Sequence, residues 1–272
     1  GGVINIAVSI WLFSYIWQEG PQTIQAGNWA APFGITFIAD TLAATLVLLT
    51  AISGFAVSMF SASSIIPARL KFGYFPIFHF LLLGLNGAFL TGDIFNLYVW
   101  FEIIIISSFV LITLGGEKAQ LEGAVKYFTM NILASIFPLY FWLPASYHTP
   151  PSAVAAIFGG LLTKVGVYAL IRVFTLIFVG DVFLQNTILV MAVLTLISGG
   201  LGALIHNNLR KVFSYLIICH IGYMIAGLGL FTEVAIAGTI FYLIHDIVVK
   251  TNLFMVSGLI YRITGTNNIR SL

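Results

Sequence analysis

Charge is what this sequence has least of. Only 7% of its 272 residues are Asp, Glu, Lys or Arg, where a soluble globular domain carries about 25%, and so few charges cannot build a water-facing surface. Eleven basic residues against nine acidic ones leave a formal net charge of +2. The basic residues stand singly in short loops instead of forming a basic face, which excludes nucleic acid as a partner. A single cysteine, Cys219, excludes an intrachain disulfide framework and a cysteine metal cluster; in its apolar helical setting it reads as a packing residue. His, Cys, Asp and Glu do not recur at a metal-ligand spacing, and no phosphate-cradling glycine loop follows a strand, so no metal, cofactor or catalytic group is expected. Gly1 to Trp17 lack both a basic lead-in and a small-residue cleavage site. They do not read as a signal peptide but as a helix entered part-way.

What the sequence has in abundance is apolar length: 60% of the residues are hydrophobic. A hydrocarbon core about 30 Å thick needs roughly 20 mainly apolar residues per crossing, and such stretches follow one another along nearly the whole chain. The expected fold is all-α, a polytopic bundle of transmembrane helices in a lipid bilayer. Helices are expected over Val3–Trp17, Ile35–Phe60, Tyr74–Leu90, Ile94–Leu114, Tyr127–Leu143 with an interruption at Pro138, Ala153–Phe178, Ile188–Ile205, Val212–Leu230 and Ala235–Ile260. Breakers such as Gly92-Asp93, Gly115-Gly116, Pro150-Pro151 and Gly180-Asp181 separate them. Short spacers make sequential helices antiparallel neighbours, and no linker marks a second domain. Gly199 and Gly202 allow a close helix–helix approach, which lipid-phase packing requires.

Counting crossings exposes an inconsistency. Lys and Arg concentrate in cytoplasmic loops, a rule that largely ignores acids. Arg69 and Lys71 start the count inside, and Lys118 and Lys126 return inside two crossings later. If Tyr127–Leu143 is one crossing, Arg210, Lys211, Arg262 and Arg270 all fall on the wrong side. One additional crossing between Lys126 and Ala153 restores the rule, so residues are expected to be missing near Ser135–Phe137. The sequence is also expected to start and stop inside a longer protein.

Four charged residues fall inside apolar helices: Glu102, Lys164, Asp246 and Lys250. At about 2.5–3.5 kcal/mol each, their uncompensated cost is roughly 10–14 kcal/mol, so they cannot all face lipid. Asp246 and Lys250, spaced i,i+4 with the acid first, share a helix face and form either a structural ion pair or part of a translocation path. Glu102 and Lys164 have no partner on their own helices. A carboxylate and an ammonium in that setting either exchange protons with a water chain or form a structural interhelical pair. His245, beside Asp246, is either a proton relay or a satisfied interior histidine. His79 and His220 read as packed, hydrogen-bonded side chains, and His148 and His206 as loop residues.

These residues stand in long, ordered motifs. Gly84-Leu85-Asn86-Gly87-Ala88-Phe89-Leu90-Thr91-Gly92-Asp93-Ile94-Phe95-Asn96-Leu97-Tyr98-Val99-Trp100-Phe101-Glu102, leading into Ser107-Ser108, is the first. The block from Phe141-Trp142-Leu143-Pro144 through Pro150-Pro151 to Lys164-Val165-Gly166-Val167-Tyr168 is the second. Ser214-Tyr215 with Ile221-Gly222-Tyr223-Met224, and the run from His245 to Gly258, complete the set. Together they resemble the antiporter-like subunits shared by respiratory complex I, membrane-bound hydrogenases and Mrp-type multisubunit cation/proton antiporters. The wording is most similar to the D subunits of the Mrp type, as in Asn28-Trp29-Ala30-Ala31-Pro32-Phe33-Gly34-Ile35 and Arg172-Val173-Phe174-Thr175-Leu176.

The resemblance implies that Glu102 matches an essential glutamate, Lys164 a buried lysine or histidine, and Lys250 with His245 a charged cluster along a central polar axis. Asp246 stands where many relatives have a second histidine, which puts its relay role in doubt. Relatives also carry a lysine that partners the glutamate a few residues before Phe137-Pro138-Leu139-Tyr140; here Ile136 precedes Phe137 directly. The resemblance implies a transporter subunit of the cell membrane, with other antiporter subunits as partners and Na+ and H+ as cargo. A redox-driven proton-pumping subunit and a purely structural scaffold subunit remain alternatives.

Overall fold

Helix boundaries follow from where short polar side chains can accept from a helix's own unsatisfied first-turn N–H groups. The computed structural model describes residues 1–29, 34–118, 120–122, 124–125, 142–179 and 181–271. They divide into two compact units, Gly1–Leu114 and Gly115–Leu272.

In the first unit, α1 (Gly2–Glu19) leads into a short antiparallel hairpin of β1 (Gln22–Gln25) and β2 (Thr36–Ala39), paired Gln22 to Ala39 through Gln25 to Thr36. The sequence predicts helix from Ile35. The helix α2 starts only at Thr41, because the Asp40 carboxylate accepts from Ala43 N at 2.8 Å and fixes the start there, leaving Thr36–Ala39 free to pair as a strand (α2 is Thr41–Ser64). A short α3 (Pro67–Lys71) follows, then α4 (Tyr74–Leu90) and α5 (Ile94–Thr113). Asp93 does two things at once. Its Oδ1 accepts from Asn96 N at 2.6 Å to cap α5, and its Oδ2 accepts from Thr36 N at 3.0 Å. The α5 start is thereby tied to the hairpin. Within the unit α1 packs on α2, α2 on α4 and α4 on α5.

In the second unit a short α6 (Trp142–Tyr147) precedes α7 (Ser152–Leu176), α8 (Val182–Ile205), α9 (Leu209–Leu230) and α10 (Glu233–Thr264). Asp181, Asn208 and Thr232 cap the last three, which explains why α8 and α9 begin earlier than apolarity alone suggests. The left-handed Gly265 (φ +73°) ends α10. α8 lies along α9, with Gly199 against the Cys219 backbone, where a Cβ would overlap it. α9 and α10 form an antiparallel hairpin that packs on α7.

Among the described residues six helices, α2, α5, α7, α8, α9 and α10, are long and apolar enough to cross a membrane, and α4 is a shorter apolar helix. The protein is a polytopic membrane protein. At one end of the second unit Leu209 N donates to Asn267 O and Ile269 N to Asn207 O, both at 2.8 Å, and the Arg210 guanidinium donates to Pro150 O. Arg210, Lys211, Arg262 and Arg270 therefore share one end, as the crossing count requires of them. His148 joins them; burial pushes its imidazole below the ordinary range, helped by the charges of Lys211, Arg210 and His206. The expected Tyr127–Leu143 crossing up to Phe141, with Lys126, Pro138 and the suspected break near Ser135–Phe137, lies outside the described residues.

Candidate functional site: a buried charge cluster

Nine acidic residues are present, and most have local work. Asp40, Asp93 and Asp181 cap helices, Glu233 sits in the first turn of α10, Glu19 ends α1, and Glu117 and Glu122 lie between the membrane-length helices. That leaves Glu102 and Asp246 as carboxylates within membrane-length helices.

Asp246, on α10, is fully buried. Its Oδ2 is 2.7 Å from Lys164 Nζ on α7, and its Oδ1 is 2.6 Å from His220 Nδ1 on α9. One carboxylate thus draws together three helices. The i,i+4 spacing predicts Asp246 paired with Lys250, but the closer partner is Lys164: α7 reaches the carboxylate directly. Lys250, one turn further along α10, is fully buried, and its Nζ has no hydrogen-bond partner among the described residues. It interacts electrostatically with Asp246, Lys164 and Cys219. One carboxylate opposite two ammonium groups leaves surplus positive charge where burial penalises it. A proton in such a cluster is the charge most easily moved.

The α7 backbone is shaped for this. From Phe158 to Leu162 it widens into a π-type turn, an irregularity that recurs at functional sites. Lys164 Nζ donates to Gly159 O at 2.7 Å across that turn. Gly160 faces Thr251 of α10, and a Cβ there would overlap Thr251 Oγ1. The glycine lets α7 approach α10 closely enough for Lys164 to meet Asp246, while Thr251 satisfies itself on Ile247 O at 2.8 Å.

The other expected residues lie elsewhere. Glu102 belongs to the first unit, on α5, half-buried and hydrogen-bonded to Tyr98 one turn earlier. His245 is on α10 but exposed; its ring centroid lies 5.9 Å from that of Tyr242. Within the second unit the fold therefore unites Lys164, Asp246 and Lys250 and leaves His245 outside their cluster. His220 is packed and hydrogen-bonded as expected, yet its partner is the buried acid. The sequence held a signal for this: His220 and Asp246 each stand roughly three to four turns from the α9–α10 turn, so antiparallel pairing brings them to similar depth.

Comparisons with known proteins fit this architecture. Residues 134–272 match the family model described as NADH:quinone oxidoreductase/Mrp antiporter, TM. A D-type Na(+)/H(+) antiporter subunit from Alkalihalophilus pseudofirmus is 41% identical over 319 aligned positions, which take in 98% of this chain and 65% of that protein. The chain thus spans about two thirds of that relative's length. The alignment is 47 positions longer than the 272-residue chain, so at least that many positions of the relative have no residue of this chain opposite them. Among solved structures, the archaeal membrane-bound sulfane sulfur reductase superimposes with a TM-score of 0.91 at 25% identity, covering 99% of this chain and 66% of the matched chain. The Mrp complex from Dietzia sp. DQ12-45-1b superimposes with 0.85 at 24%, covering 95% and 58%.

Removing the shared carboxylate leaves two ammonium groups opposed by nothing. Asp246→Ala is expected to cost about 3–5 kcal/mol of stability, and the triple change Lys164→Met, Asp246→Leu and Lys250→Met to recover most of it. Thermal unfolding of the detergent-solubilised protein checks both; an Asp246→Ala variant as stable as wild type would contradict the pairing.

Proposed function

Because the chain belongs to the NADH:quinone oxidoreductase/Mrp antiporter transmembrane family, we propose that it is an ion-translocating subunit of a multisubunit Na+/H+ antiporter in a prokaryotic cell membrane. It is a secondary-transporter subunit, not an enzyme in its own right. The observation that carries this reading is the buried cluster of Asp246 with Lys164 and Lys250. Intramembrane ionisable groups are expensive and mark ion pathways. The 41% identity to a protein named as an antiporter subunit supports Na+ and H+ as cargo and other antiporter subunits as partners.

In this reading protons enter and leave the Lys164–Asp246–Lys250 cluster by exchange of the surplus proton, and Glu102 acts as the second switch, on the other unit. His245 stands at the exposed edge of α10. A second reading has one observation in its favour: the sulfane sulfur reductase, an archaeal respiratory membrane complex, superimposes more closely than the Mrp complex. There the same polar path would be driven by a redox reaction. Neighbouring genes for iron–sulfur or hydrogenase-like subunits point to that reading, and neighbouring antiporter genes to the first.

We also infer that the working protein carries a segment between Ser135 and Phe137 that this sequence lacks. The 47-position surplus supports it: added to the 17 residues from Tyr127 to Leu143, it makes room for two crossings of roughly 20 residues and a loop. That is the additional crossing the basic loops demand.

Two measurements test these proposals. In everted membrane vesicles Glu102→Gln is expected to lower Na+-dependent proton exchange by about tenfold or more while the chain still assembles; full exchange contradicts the assigned role, and loss of assembly alone supports a scaffold. A mass-spectrometric peptide map of the native protein is expected to contain no peptide with the uninterrupted run Ala134-Ser135-Ile136-Phe137-Pro138. Finding one removes the inserted segment.

A further inference from the structure

His220 has no assigned part in the path just described, yet among the described residues it joins the buried ion pair to the surface of its unit. Its Nδ1 lies 2.6 Å from Asp246 Oδ1, and its side chain is 21% exposed where Asp246 and Lys164 are 0%. On the outer side its ring centroid is 5.5 Å from that of Tyr242, which is in turn 5.9 Å from Tyr223 and 5.9 Å from the exposed His245. Asp246 and Tyr242 of α10 face it directly, Tyr223 of α9 and His245 of α10 stand beyond Tyr242, and Lys164 and Lys250 lie around the carboxylate.

A carboxylate fully surrounded by protein cannot collect protons from water by itself. An imidazole, alone among side chains, gains and loses a proton near neutral pH with little penalty and has two nitrogens with which to pass it on. We propose that His220 is a proton-relay residue, passing protons between the Asp246–Lys164 pair and the exposed edge of the second unit at Tyr242 and His245.

The step balances simply. A charged His220 gives the proton on Nδ1 to Asp246 Oδ1; the neutral acid turns and gives it to an unprotonated Lys164 Nζ, restoring the carboxylate. The imidazole, left with its proton on Nε2, turns its ring so that this N–H faces Asp246 and takes a replacement proton from the exposed side on the freed Nδ1. Once His220 is recharged, one proton has moved from the exposed edge to Lys164. The reverse sequence empties Lys164 outward.

This inference rests on the translocation reading above, and the test separates the two. His220→Gln keeps a side-chain amide beside Asp246 but cannot carry a proton; His220→Ala leaves space that free imidazole can enter. Both are made in the full-length protein within its assembled complex, and exchange is followed in vesicles from acidic to alkaline pH beside Glu102→Gln. The relay predicts normal assembly, a loss of about tenfold or more in rate with an altered pH profile for His220→Gln, and partial recovery of His220→Ala by added imidazole. Wild-type rate and pH profile in His220→Gln overturn the relay. If Glu102→Gln is then inactive, the translocation reading stands without it. If Glu102→Gln is active while the His220 variants are slow and rescued, the relay stands and the Glu102 role fails.

Discussion

A charge inside hydrocarbon must be answered within the protein, and the second unit is arranged around one answer. Asp246 is a single carboxylate shared by Lys164 at 2.7 Å and His220 at 2.6 Å, with Lys250 one turn away. Reaching it requires α7 to lie close on α10, which the small surface of Gly160 and the π-type turn at Phe158–Leu162 make possible. It also requires α9 and α10 to run antiparallel in a fixed register, which caps at Asn208 and Thr232 and the paired ends at Asn207–Leu209 and Asn267–Ile269 supply. Ordinary helix chemistry at the membrane surfaces thus sets the geometry of an unusual centre within the bilayer.

Much of this was legible in the residues themselves. Apolar length gave the helices, and the four intramembrane charges named the groups that matter, because cost alone singles them out. What one dimension hides is which helix faces which. The i,i+4 rule joined Asp246 to Lys250, since both partners lie on one helix; the pairing with Lys164 depends on a crossing 82 residues away in sequence and on a glycine contact no spacing reveals. His220 looked inert for the same reason, as its partner lies on the next helix. Ile35 looked like a helix start because apolar β-strand and helix residues overlap in type, until the Asp40 cap decides the boundary.

The carboxylate's excess of basic partners is what ties the structure to the proposed transport. A balanced buried pair is glue, stable in one protonation state. A carboxylate with two ammonium groups and an imidazole is left with surplus positive charge, which burial penalises until a proton leaves or water enters. The second intramembrane acid, Glu102 with Tyr98, sits on the other unit, so each unit carries one carboxylate within a membrane-length helix.

The central claim is that the Asp246 cluster changes its protonation as ions move. Infrared difference spectroscopy on the reconstituted complex, recorded as Na+ is switched at fixed pH, reads this directly. The account predicts a carboxyl band that shifts or changes in intensity with Na+, as its basic partners gain and lose protons, and that is absent in Asp246→Asn. A difference spectrum identical in wild type and Asp246→Asn would contradict it.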